Sequence, residues 1–256
     1  MIKFFRKIRQ NLLMENKTGK YFKYAIGEIL LVVIGILMAL SINNWREGRK
    51  NSANEAYVLN EILNNLNEDD GQIGIILGRR RAAQFAVEEL LKIVHTKPLD
   101  KKGIEKNLAL FLTFERFYPL NNAFEMMKSN GLIVENKNLR TSISRYYDFE
   151  QKKVAQSIKD IENVIIRLLQ TENIIRSNLK TSITGTQEFT FVNIKNYSDS
   201  DFLELLHTEL SLFKDNNGTS SVRVSDFKNR NNQLIKVIEK ELENDRLNRF
   251  LNKMDN

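Results

Sequence analysis

Residues 25–42 read AIGEILLVVIGILMALSI, a run whose apolar character is broken only by Glu28 and Ser41. At about 1.5 Å per residue, a helix of this length is roughly 27 Å long, enough to cross the hydrocarbon core of a bilayer. Tyr21, Phe22 and Tyr24 precede the run and Trp45 follows it. Amphipathic rings settle at the two membrane–water interfaces. The expectation is a transmembrane helix over residues 25–45, with Tyr21, Tyr24 and Trp45 as interface anchors.

Charge sets the expected orientation. Lys3, Arg6, Lys7, Arg9, Lys17, Lys20 and Lys23 stand before the span against the single acid Glu15, whereas Arg46, Arg49 and Lys50 follow it with Glu47. Basic residues stay on the cytoplasmic side. The N-terminus is therefore expected in the cytoplasm and the C-terminal part outside it, which in a Gram-negative inner membrane means the periplasm. A cleaved signal peptide has a short basic region and about 7–15 apolar residues. The longer segments here favour an uncleaved signal-anchor, with Ala39-Leu40-Ser41 the only cleavage-like spot. Residues 1–24 form the basic cytoplasmic segment. Within it Ile2, Phe5, Ile8 and Leu12 share one helical face, so residues 2–13 are expected to lie as an amphipathic helix on the anionic inner leaflet.

Inside the span, Gly27, Leu31, Gly35 and Ala39 recur every four residues. Gly35 and Ala39 make a small-xxx-small pair of the kind that lets helix backbones approach. Glu28, one turn inside the cytoplasmic edge, is read as a carboxylate snorkelling to the headgroups or pairing with a nearby lysine, or else as a polar contact to a partner helix. Gly27, Glu28, Leu31, Gly35 and Ala39 are the candidate partner-helix face.

The whole chain has 256 residues and a net charge of +7. Residues 1–50 hold ten Lys/Arg and three Asp/Glu, leaving 29 of each sign in the remainder. The positive excess thus belongs to the anchor, and nucleic-acid binding loses its electrostatic basis. Residues 46–256 are expected to form a helical ectodomain. Its helices are placed at about 52–96, 102–114, 122–129, 138–179, 199–214 and 225–253, as an elongated antiparallel bundle. The first is expected to continue from the span as a rigid stalk. Gly71, Gly74 and Gly78 suggest a smooth face for close helix packing, or a kink. Phe111, Phe114, Phe117, Tyr118 and Phe124 are expected in the core. Thr181 to Ser200 reads as a loop containing a strand or strap at Glu188–Ile194, Asp215–Ser221 as an exposed turn, and Ser198 or Asp199 as a helix cap.

Catalytic constellations are sparse. The chain has no cysteine and only two histidines, His95 and His207. Glu204-xx-His207 is half of a carboxylate-bridged di-metal pattern, but the chain has no second Glu-xx-His, so His207 reads as a surface histidine. Arg79-Arg80-Arg81 reads as a solvated helix face, with an anion-receiving cluster as the alternative, and Asp69-Asp70 as a solvated turn of helix. No phosphate loop, His-Glu-xx-His or G-x-S-x-G signature occurs. No catalytic, cofactor-binding or metal residue is nominated.

FFRKIRQNLL (4–13) followed by KYFKYAIGEILLVVIGILMALSINNWRE (20–47) resembles the opening of a family of uncharacterised single-span membrane proteins of Bacteroidota, known only by a domain-of-unknown-function label. That family's pattern is a basic F-F-R-x-I-R start and an anchor ending A-L-x-I-N-N-W-N-E; Arg46 stands here where Asn is common. AFEMMKSNGLIVENKNLRTSISRYYD (123–148) is similar to a second, looser segment. The resemblance implies location and architecture and carries no activity. The sequence therefore points to a membrane-anchored, non-enzymatic structural or interaction protein, an accessory subunit or scaffold. Its expected partners are the lipid bilayer and a second protein or further copies of itself. The alternative is a periplasmic helical-bundle ligand sensor that signals through a partner.

Overall fold

The computed structural model describes residues 18–129, 131, 134–170, 174–183, 190–197 and 199–254. The expected interfacial helix of residues 2–13 and the alternative cap Ser198 lie outside them. Among the described residues the chain is all-α apart from one short hairpin. In order it runs α1 (Thr18–Ile93), α2 (Lys101–Leu112), α3 (Asn122–Ser129) and α4 (Lys137–Arg145), which passes through a π turn (Tyr146–Glu150) into α5 (Gln151–Leu168). There follow α6 (Ile174–Asn178), β1 (Leu179–Ile183), β2 (Thr190–Ile194) and α7 (Ser200–Met254). Two compact units are present, Met1–Glu55 and Ala56–Asn256.

In the second unit the fold rests on three long helical stretches. On α1, Ile62, Leu66, Asp69, Ile73, Ile76, Arg80, Ala83, Val87 and Leu90 are all buried, as is Val94 one residue past its end. Their spacing alternates four and three, the heptad seam that keeps one stripe of a helix against its partners. α7 carries the same alternation through Leu210, Phe213, Asn217, Ser220, Val224, Phe227, Asn231 and Leu234. It runs opposite to α1: Asn231 Nδ2 donates to Leu66 O (2.8 Å), while Arg80 donates to Ser220 Oγ (2.6 Å). It also runs opposite to α5, with Arg230 on Glu150 (2.9 Å) and Arg167 on Glu209 (2.9 Å). α1 and α5 run the same way, since Asp69 meets Gln151 and Arg80 meets Ile158. Only the last long helix is thus antiparallel to the other two.

The core divides in two. One cluster gathers Val58–Leu77 of α1, α3, the α4–α5 stretch to Ile158, and α7 from Val224 onward. The other gathers Ala83–Val94, α2, α5 from Ile161, the hairpin, and Phe202–Phe213 of α7. Leu179, Val192 and Ile194 are the hairpin's buried contributions, and Glu105 of α2 accepts from Ile194 N (3.2 Å).

Several expected boundaries differ. The expected helix over 138–179 stops at Leu168, and Leu179–Ile183 instead pairs antiparallel with Thr190–Ile194. β-Branched Thr181, Ile183, Val192 and Ile194 suit that pairing. The expected turn at Asp215–Ser221, between helices at 199–214 and 225–253, is instead the middle of α7. Asn217 and Ser220, 1% and 5% exposed, turn inward and bond to α1 and α5, which removes the reason for a turn. Gly71 and Gly78 have nothing within 4 Å of a Cβ position, and Gly74 meets only the end of Lys228, so this face is neither a close-packing surface nor a break. Asp199 caps α7, accepting from Phe202 N at 3.1 Å. Asn136 caps α4 through Asn138 N and Leu139 N. α3 ends at Ser129, with Gly131 at φ 61°, a conformation glycine adopts at little cost.

Candidate functional site

The first candidate is the apolar stretch of α1 in the first unit. Its most apolar window has a mean hydropathy of 2.6, and none of it is buried. From Ile26 to Ile42 every Ile, Leu, Val and Met is between 44% and 67% exposed. Moving that much half-exposed apolar surface out of water is worth on the order of 10–20 kcal/mol. Gly27 and Gly35 are open, with nothing within 4 Å of a Cβ position; Leu31 and Ala39 are exposed and Glu28 is half-buried. A four-residue spacing advances roughly 40° per step, so this stripe winds through roughly 120° from Gly27 to Ala39, and Gly35 and Ala39 are its nearest pair of small residues. Trp45 is 61% exposed, with the Arg49 guanidinium 4.9 Å above its ring. Tyr21 and Tyr24 lie on the helix, but their side chains fall outside the described residues.

The second candidate is polar and internal to the second unit, and sequence reasoning missed it. Asp69, expected at a solvated surface, is fully buried. Its Oδ2 accepts from Tyr146 OH (2.9 Å) and Gln151 Nε2 (2.8 Å), and its Oδ1 from Leu120 N (3.1 Å). One turn on, Gln72 clamps the backbone of Tyr118 from both sides (3.0 and 3.1 Å). Burial pushes the Asp69 carboxyl above the usual carboxylate range, although these hydrogen bonds pull it down. Burial first, and Asp69 second, hold the Tyr146 phenol protonated far above the tyrosine range. The π turn makes this possible by turning two consecutive residues inward: Tyr146 and Tyr147 are 3% and 2% exposed. Tyr147 stacks on Phe124 (4.7 Å) and Tyr146 on Phe227 (5.3 Å). Phe111 and Phe124 are core as expected, while Tyr118 is 65% exposed.

Arg80, also expected in solvent, forms a second layer between the two apolar clusters. It donates to Ser220 Oγ and to Ile158 O (3.4 Å); Ser220 in turn lies 2.7 Å from Ser157 Oγ, and Asn217 donates to Gln84 (2.9 Å). Burial lowers the guanidinium to about 10. Beside it opens a small cleft lined by Ile76, Phe114, Ile161, Phe213, Glu115 and Glu162. Both carboxylates are already engaged, Glu115 with Arg79 (3.4 Å) and Glu162 with Arg116 (2.7 Å). Arg81, last of the triplet, is exposed.

Residues 28–207 match the family described as "Family of unknown function (DUF6090)". No curated protein and no solved structure matches the chain.

Proposed function

The chain belongs to this family of unknown function, and on that footing we propose a single-pass scaffold or accessory subunit of the inner membrane that acts through protein contacts and not by catalysis. The observation that carries the reading is the exposed apolar stretch of α1, whose surface is favourable only against lipid or another apolar helix. The excess of basic residues before it favours a cytoplasmic N-terminus and a periplasmic helical bundle. The Gly35/Ala39 pair offers a second helix, from a partner or a further copy, a close approach. The sequence-level lack of catalytic motifs agrees with a non-enzymatic role. Crosslinking in intact cells, gentle detergent extraction and mass spectrometry test the proposal. One abundant membrane-protein partner, or self-crosslinks through the Gly35/Ala39 face, is expected. A monomer that brings nothing down refutes it.

A second reading, a ligand sensor working through such a partner, is favoured by one observation. Arg80 carries a buried charge whose hydrogen bonds go to Ser220 and Ile158, and it borders a cleft that Glu115 and Glu162 line together with apolar side chains. Thermal-shift screening separates the two readings, because only the sensor is stabilised by a small anionic ligand.

A further inference from the structure

The chain's only two histidines are 112 positions apart in sequence and meet in space. Their ring centroids lie 4.8 Å apart with the planes tilted by 50°. His95 stands in the turn that follows α1, beside buried Val94; His207 stands on α7 beside buried Leu206. Both are therefore positioned by a packed neighbour, while His95 is exposed and His207 half-buried, so the pair is open to solvent.

We propose that His95 and His207 form a two-histidine site for an imidazole-preferring divalent transition ion, of which Zn²⁺ is the test case. Metal–nitrogen bonds of about 2.0–2.1 Å, with each ring centre roughly 1.1 Å behind its nitrogen, hold two imidazoles on one ion with centres roughly 4.5–5.3 Å apart. The observed separation falls in that interval. Among the described residues no group of three or more histidine or carboxylate side chains is placed to hold a metal, so two imidazoles and solvent water make up the coordination. A site of this kind discriminates by ligand chemistry. Imidazole suits Zn²⁺, Ni²⁺ and Cu²⁺, whereas Mg²⁺ and Ca²⁺ want oxygen. A bound ion ties the residue after α1 to α7 and so stabilises the folded second unit.

The test uses the full chain in detergent micelles, purified without a polyhistidine tag, and titrated calorimetrically with Zn²⁺. One-to-one uptake is expected, with Mg²⁺ giving none, and His95→Gln and His207→Gln each weakening it roughly tenfold or more. Uptake unchanged by both substitutions, or no uptake up to about 1 mM Zn²⁺, overturns the proposal. A readout on the unsubstituted chain guards against variants that fail to fold. Histidine-labelled protein gives only two imidazole signals, and substoichiometric Cu²⁺ is expected to broaden both together. Broadening of neither, or of one alone, is incompatible with a shared site.

Discussion

Asp69 offers the sharpest test of how the second unit is held together. Replacing it by alanine removes the acceptor for Leu120 N and Tyr146 OH; Gln151 Nε2 keeps a partner in Leu120 O at 3.1 Å. Two buried donors left unpaired cost about 1–3 kcal/mol each, and relief of the buried carboxylate's own desolvation offsets part of it. A net loss of about 3 kcal/mol is expected, which in a domain of this size lowers Tm by about 6–12 °C. Asp69→Asn keeps an oxygen for Leu120 N and can donate to the Tyr146 oxygen, so its loss should stay near 1 kcal/mol, or about 2–4 °C. Circular dichroism melts of the full chain in mild detergent measure both. Equal melting of the two variants, or an alanine variant within a degree of the parent, would mean that Asp69 does not organise the Tyr118–Leu120 loop. The same pair reads the sign of the titration. Because burial raises this carboxyl, the folded state takes up its proton before the unfolded state does. Stability contributed by Asp69 therefore grows as pH falls from the raised value towards the usual carboxylate range. Relative to Asp69→Asn, the parent should gain Tm on acidification from neutrality; a relative loss contradicts the burial argument.

Other substitutions probe separate features. Arg80→Met should leave thermal stability unchanged or higher, since the fall from 12.5 to about 10 corresponds to on the order of 3 kcal/mol spent keeping that charge buried. A drop of more than about 5 °C would assign Arg80 an unrecognised stabilising partner. Gly71→Ala and Gly78→Ala, on an open helix face, should each raise stability by about 0.5–1 kcal/mol in the same melts; destabilisation would reveal a hidden close contact. Ile34→Arg places a charge mid-span at about 2.5–3.5 kcal/mol and should move the chain from carbonate-resistant membranes towards the soluble fraction. Unchanged fractionation would argue that the stretch is not lipid-embedded.

The apolar stretch was legible because it is continuous and needs no tertiary context. The inward-facing polar residues were harder. Asp69 and Arg80 look like surface in composition, yet they occupy the four-three positions between Leu66, Ile73, Ile76 and Ala83. Strict alternation, not residue type, was the available signal, and Asn217, Ser220 and Asn231 repeat it on α7. DNNGTSS misled for the same reason: its turn-forming side chains are used to bond between helices. The π turn at Tyr146 and the meeting of His95 with His207 leave no local trace, since each depends on which helices become neighbours.

The two polar layers also act as a ruler. On α1 they fall at Asp69 and Arg80, eleven residues apart; on α5 their partners are Gln151 and Ile158, and on α7 Arg80 meets Ser220. A single residue inserted between 69 and 80 rotates everything beyond it by roughly 100°, turning one layer out of the seam while the other stays in place. Such an insertion breaks the bonds of that layer to its partner helices. Length variation among members of this family should therefore collect in the connections around 94–100 and 113–121, with the span from 69 to 80 keeping a common length.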